Sequence, residues 1–267
     1  MVLSDLAIAA LLGLVQGLTE FLPVSSTAHL VIAEKVFRLD PARFGLAFDV
    51  AVHLGTALAV LLYFAGTWLA LARDVIARRW RLPALIVLGT LPAAVVGVLL
   101  QSAVERELRD VRLIAATLIL GSLLFVVAER AAEQRRTLEG IGWRTAFFMG
   151  AAQAVALLPG VSRSGVTISA GLLAHVRRAD ATRFSFLLAT PVILGAGAKT
   201  LLDARQASGL LAEPQLAVIG FLVSFASGFA AVAFLMRFLR THSLNWFIPY
   251  RLALAVALVV AAALGLA

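Results

Sequence analysis

Six stretches of the chain, near residues 44–64, 83–101, 111–128, 182–202, 215–236 and 247–266, are apolar almost without interruption. Each is long enough, at about 17–25 residues, to cross a hydrocarbon layer of about 30 Å as a helix. None alternates residue by residue as a barrel strand does, so the spans are helical. The whole chain is 61% hydrophobic and 14% charged, where a soluble domain carries about 25% charged residues. A polytopic membrane protein follows.

Two further apolar regions, 5–38 and 143–176, are each broken in the middle by proline and hydroxyl residues. Either half of such a region is too short to span, so each reads as a re-entrant helical hairpin. Broken backbone of that kind is tolerated at membrane depth only where it lines a cavity enclosed by protein. Asp5 and the lack of Lys or Arg before the first apolar run argue against a cleaved signal peptide, which starts basic. The chain has no cysteine, which removes disulfides, iron–sulfur clusters and thiolate zinc sites from consideration.

The net charge of +8 does not point to a nucleic-acid partner, because the basic residues are scattered through short loops between spans. Thirteen of them fall on one side of the membrane, including Arg73, Arg130, Arg177 and Arg237, and seven on the other, including Lys35, Arg38, Arg43 and Arg109. The richer side is expected in the cytoplasm, with both termini outside. "RDVIARRWR", residues 73–81, reads as a basic surface loop that sets topology and meets anionic lipid.

The two hairpins resemble each other. Aligning Gln16 with Gln153 brings Pro23 to Pro159, Val24 to Val161, Ser25 to Ser162, Ser26 to Arg163 and Thr27 to Ser164, with one single-residue gap. Each hairpin precedes three spans, and three is odd, so the second copy must enter the membrane upside down. The expected fold is therefore an all-α integral membrane protein, one domain over 1–267. It would be an inverted repeat of about 1–130 and 140–267, with six transmembrane helices and two re-entrant hairpins meeting near the midplane.

The differences between the copies carry the chemistry. Glu20 and His29 belong to the first hairpin and Arg163 to the second. A charge at membrane depth costs about 2.5–3.5 kcal/mol on insertion scales, so each is a functional candidate. Gln16 and Glu20 are four apart and share a helix face, and Ser26 and His29 are three apart. The runs Ser25-Ser26-Thr27 and Ser162-Arg163-Ser164 each precede an apolar segment, as a helix N-cap does. Two helix N-termini then face one cavity, where their free N–H groups favour an anion, phosphate above all. Arg163 adds a planar fork matched to phosphate oxygens, and Glu20 can hold a divalent cation that bridges two phosphates. Such a site inside a membrane suits a lipid pyrophosphate.

Within that site Ser26 is the preferred nucleophile and His29 its base. A phosphohistidine on His29 and direct attack by metal-bound water remain alternatives. Ser25, Thr27, Ser162, Ser164 and Thr167 are candidate donors to phosphate oxygens, although membrane Ser and Thr also bond back to their own helix. Gln16 and Gln153 are candidate supporting partners. Asp49 and His53, four apart, either face the same cavity or form a pair near the interface. Gly13 and Gly17 form a G-x-x-x-G, a mark of close helix packing.

"QGLTEFLPVSSTAHL", residues 16–30, and "PGVSRSGVT", residues 159–167, resemble the two signature motifs of the bacterial undecaprenyl pyrophosphate phosphatases, also called bacitracin-resistance proteins. The first contains the pattern [EQ]-x-x-x-E as Gln16 to Glu20, and the second matches P-G-x-S-R-S-x-x-T throughout. The resemblance implies a plasma-membrane enzyme that removes the terminal phosphate of undecaprenyl pyrophosphate. That reaction recycles the lipid carrier of peptidoglycan synthesis and confers bacitracin resistance. It also implies Mg²⁺ or Ca²⁺, with Glu20 as ligand and Gln16 as a weaker one, since Gln stands where other members carry Glu. The rival reading is a transporter or flippase of a phosphorylated lipid or anion, because inverted repeats with broken helices are transporter architecture. A carrier needs the anion cradle but no nucleophile.

Overall fold

The structure is a computed structural model and describes residues 4–37, 39–40, 43–107, 110–206 and 213–264. The first hairpin is α1 (Asp5–Phe21) and α2 (Ser26–Phe37), followed by α3 (Leu46–Tyr63), α4 (Ala65–Ile76), α5 (Arg81–Glu107) and α6 (Val111–Ala131). The second hairpin is α7 (Trp143–Val155) and α8 (Arg163–Leu173), followed by α9 (Arg178–Gln206), α10 (Pro214–Phe238) and α11 (Ile248–Ala263). Among the described residues five helices are long and apolar enough to cross a membrane, and six if the bent pair α3–α4 counts as one span. Helices α2, α7 and α8 have 12, 13 and 11 residues, short of the roughly 20 that a full crossing takes, and α1 with 17 stands at the lower limit. The protein is thus an all-α, multi-pass integral membrane protein.

One span departs from the sequence reading. The helix begun at Leu46 turns by 72° after Tyr63 and continues as α4, so Arg73 to Ile76 are helical and the basic loop starts after them. No proline marks the break, and Gly66 lies just beyond it in the first turn of α4. The break falls where Phe64 buries its ring, 4.9 Å from Tyr63 and 6.1 Å from Phe186 between centroids. Arg38 and Arg109 of the loop-charge count, and the last two residues of the 247–266 run, lie outside the described residues.

The packing exchanges the two halves. In the first half α3, α5 and α6 follow the hairpin, and in the second α9, α10 and α11. Helix α1 lies along α10 and α7 along α5, so each hairpin rests on the middle span of the other half; likewise α6 packs on α8 and α11 on α6. Small residues let these backbones approach. A Cβ on Gly13 would stand 2.7 Å from the Gly220 carbonyl oxygen, and one on Gly150 2.7 Å from the Gly89 carbonyl carbon. Gly13 and Gly150 each sit three residues before the aligned glutamines, so the two contacts are copies of one another. Gly150→Ala is expected to destabilise the protein by about 1–3 kcal/mol, since backbone must move to admit the methyl. Thermal unfolding in detergent checks this, and an unchanged midpoint would refute it.

Candidate active site

Helix α1 ends at Phe21 and the chain reverses through Leu22, Pro23, Val24 and Ser25 before α2 begins at Ser26. The second hairpin reverses at Pro159, Gly160, Val161 and Ser162 before Arg163 opens α8. Ser25 and Ser162, aligned in the sequence, both have φ of 74°, a left-handed conformation that non-glycine residues rarely adopt. Gly160 has φ of 91° and lies so close to α6 that a Cβ there would come 2.6 Å from the Ile114 carbonyl oxygen. Such strain persists where surrounding contacts hold it. The Ser25 Oγ accepts from the Gly160 N–H at 3.1 Å, tying one turn to the other, and the Ser162 Oγ accepts from the Gly165 N–H at 3.4 Å as the N-cap of α8.

The acid and the guanidinium of the two hairpins meet. Arg163 Nη2 donates to Glu20 Oε1 at 2.7 Å. On the other carboxylate oxygen, Ser26 Oγ donates to Glu20 Oε2 at 2.6 Å and Gln16 Nε2 donates at 3.1 Å. Both members of the ion pair are well buried, with side chains 15% and 9% exposed. A cavity of about 150 Å³ opens beside them, lined by Glu20, Ser25, Ser26 and Thr27 from one hairpin and Ala156, Ser162 and Arg163 from the other, with Thr19 and His53 completing it. Arg163 Nη1 and Gln16 Oε1 are buried without a hydrogen-bond partner. Buried polar atoms are rarely left so; Arg163 lines the cavity, whereas Gln16 stands behind Glu20 and is not among the lining residues.

Several sequence candidates lie elsewhere. His29 is not among the residues lining the cavity. Its Nδ1 donates to the Ser25 carbonyl at 2.7 Å, which leaves Nε2 as the acceptor for the Tyr250 hydroxyl at 2.5 Å, and the two rings stack at 5.6 Å. Three residues along a helix bring it near Ser26 in height, but the bond to the carbonyl four residues back turns the ring toward α11. Thr167 Oγ1 donates to the Arg163 carbonyl at 2.7 Å and meets Ser185, and Ser164 Oγ lies 3.3 Å from Ser162 Oγ. Neither lines the cavity; the bond of Thr167 back to its own helix satisfies its hydroxyl there. Gln153 is buried with both amide ends unpartnered. His53 does line the cavity, held by its Nδ1–H to the Asp49 carbonyl at 2.7 Å.

Arg251 escaped the sequence reading altogether. It is fully buried in α11 and donates to carbonyls of both hairpin turns, Pro23 and Gly160, each at 3.1 Å. The signal was present: it is a lone charge within the last apolar run.

Residues 9–257 match the family described as bacitracin resistance protein BacA. The chain belongs to that family. It is 44% identical over 262 residues to an undecaprenyl-diphosphatase of Rubrobacter xylanophilus, covering 94% of this chain and 96% of that one. An undecaprenyl-diphosphatase of Myxococcus xanthus is 43% identical, over 94% of this chain and 87% of its own. One from Mycolicibacterium smegmatis is 42% identical, over 95% of each.

For a member of the bacitracin resistance family the cation question turns on donors. Among the described residues no group of three or more His, Cys, Asp or Glu is placed to hold a metal ion. Glu20 is a single carboxylate already engaged by Arg163, Ser26 and Gln16. The orphaned Gln16 Oε1 supplies one further buried oxygen. These residues fit a hard cation that takes most of its oxygens from substrate phosphates and water, as Mg²⁺ commonly does.

Proposed function

We propose that the protein is an undecaprenyl-diphosphatase, hydrolysing undecaprenyl pyrophosphate to undecaprenyl phosphate and inorganic phosphate. The observation that carries this is the Ser26–Glu20–Arg163 chain of contacts, at 2.6 Å and 2.7 Å, spanning two hairpins beside a polar cavity. The relatives' shared name supports the same reading.

In this reading the Ser26 hydroxyl attacks the terminal phosphorus while Glu20 Oε2, which already accepts its hydrogen, takes the proton. The P–O bond to the lipid phosphate breaks, and that group leaves as an anion without needing a proton. Charge on the transferring phosphoryl oxygens is met by the free Arg163 Nη1, by the Ser25, Thr27 and Ser162 hydroxyls, and by the N-terminal N–H groups of α2 and α8. Water then attacks the phosphoserine, and Glu20 returns its proton to the departing Ser26 oxygen. A cation held by Glu20 and Gln16, Mg²⁺ or Ca²⁺, would neutralise part of the diphosphate charge. The prenyl tail lies among lipid-facing spans, and the loop charges favour a plasma-membrane orientation with both termini outside.

The carrier reading has no use for a serine hydroxyl already bonded to a buried carboxylate, and no observation favours it. Purified protein in detergent, supplied with Mg²⁺ or Ca²⁺, is expected to release inorganic phosphate from a long-chain prenyl pyrophosphate. No release, together with movement of the lipid across liposome bilayers, would overturn the proposal.

A further inference from the structure

The Glu20–Arg163 pair is neutral, so a diphosphate beside it draws on positive charge beyond that pair. Besides the helix N-termini and a cation, Arg251 stands behind the two turns that border the cavity. Its side chain is inaccessible to solvent, and every acceptor it meets is neutral. Nε donates to Ser122 Oγ at 3.1 Å, Nη1 to the Pro23 carbonyl at 3.1 Å, and Nη2 to the carbonyls of Leu118 and Gly160 at 3.1 Å and Val161 at 3.4 Å. Its Cζ stands 4.9 Å from the centre of the Phe125 ring. Among the described residues no carboxylate pairs with it, and a buried charge without a counter-ion is costly to keep. A hydrophobic side chain would fill the space more cheaply, so the charge or the fork is being used.

The positions of its acceptors say how. Pro23 lies two residues before the left-handed Ser25, and Gly160 and Val161 lie two and one before the left-handed Ser162. One guanidinium from outside both hairpins therefore grips the turn of each. It takes up carbonyl oxygens that would otherwise repel an anion, and it holds the peptides whose strained successors start α2 and α8. A planar fork can reach both turns at once; an ammonium is a point donor and cannot.

We propose that Arg251 is a positioning residue of the phosphate site: it sets the register of the two hairpin turns and lends its unpaired positive charge to the bound diphosphate. This rests on the hydrolase reading above, and the test keeps the two apart. Arg251→Lys, which keeps charge but not the double grip, is expected to lower kcat about 100-fold, the cost of a small misplacement of reacting groups. Its KM, and its binding of inorganic pyrophosphate by calorimetry, should stay within a factor of about three of wild type. Arg251→Gln, lacking both, should lose kcat equally and also weaken pyrophosphate binding at least tenfold. Guanidinium ion added to Arg251→Ala should restore part of kcat where equal sodium chloride does not.

A wild type that releases no phosphate would sink the hydrolase reading, while pyrophosphate binding to the variants would still report on the charge. An active wild type with full kcat in Arg251→Lys would sink the positioning role alone. If the variants fail to fold, or lose activity only in proportion to folded protein, Arg251 is structural and the proposal fails.

Discussion

Arg163→Ala is expected to lower phosphate release from a prenyl pyrophosphate by about 10³-fold, the upper range for losing one donor to a developing oxyanion. The same change should also destabilise the protein. Glu20 is left buried with its negative charge uncompensated, and breaking a buried pair from one side costs about 3–5 kcal/mol. The two losses have different causes and can be pulled apart. Adding Glu20→Gln to Arg163→Ala removes the orphaned charge, keeps an acceptor oxygen for Ser26, and should recover most of the unfolding midpoint. Activity should stay lost, because neither the phosphate donor nor the base is restored. Arg163→Lys should fall between, since one ammonium cannot hold Glu20 Oε1, now 2.7 Å from Nη2, and also reach where Nη1 ends. Recovery of both stability and activity in the double variant would mean that the ion pair serves the fold alone.

What the sequence disclosed depended on the range of the interaction. The spans and hairpins were legible because hydropathy and length act locally, and the bilayer imposes one requirement on every segment. The meeting of Glu20 with Arg163, 143 residues apart, was legible by an indirect route: the internal likeness of the two hairpins and the odd count of spans between them. The bend at Phe64 was not, because an isolated glycine such as Gly66 is tolerated inside a helical pattern and the Phe64 ring packs at the break against Phe186 on a distant helix. His29 and His53 show the same limit at the site. Spacing put His29 beside Ser26, but each imidazole points where the carbonyl four residues back sends it, and only the arrangement of α3 and α11 brings His53 to the cavity and gives His29 to Tyr250. Thr167 had two satisfactory bonding choices and took the intrahelical one. Arg251 was visible as a lone charge in an apolar run, yet apart from Ser122 its hydrogen-bond partners are backbone carbonyls, which leave no trace in the residue pattern.

Ser26→Ala is expected to abolish phosphate release, by about 10³-fold or more, with little change in unfolding midpoint. The stability should hold because Ser26 spends its hydroxyl on Glu20 Oε2 alone, and Gln16 and Arg163 still bond that carboxylate after the loss. His29 makes the useful contrast. Both of its ring nitrogens are engaged, by the Ser25 carbonyl and the Tyr250 hydroxyl, so a phosphohistidine would require the 2.5 Å contact to Tyr250 to break and the ring to swing toward the cavity. His29→Gln should therefore cost far less than Ser26→Ala, on the order of tenfold, through loosening of α2 against α11. Rapid quenching with substrate labelled in the terminal phosphate should trap an acid-stable, alkali-labile phosphoprotein on Ser26, absent from Ser26→Ala. Label that is instead acid-labile and stable in alkali would place the phosphoryl group on histidine. A fully active Ser26→Ala with no trapped intermediate would hand the attack to water, and the Glu20 carboxylate would then act on that water and not on a side chain.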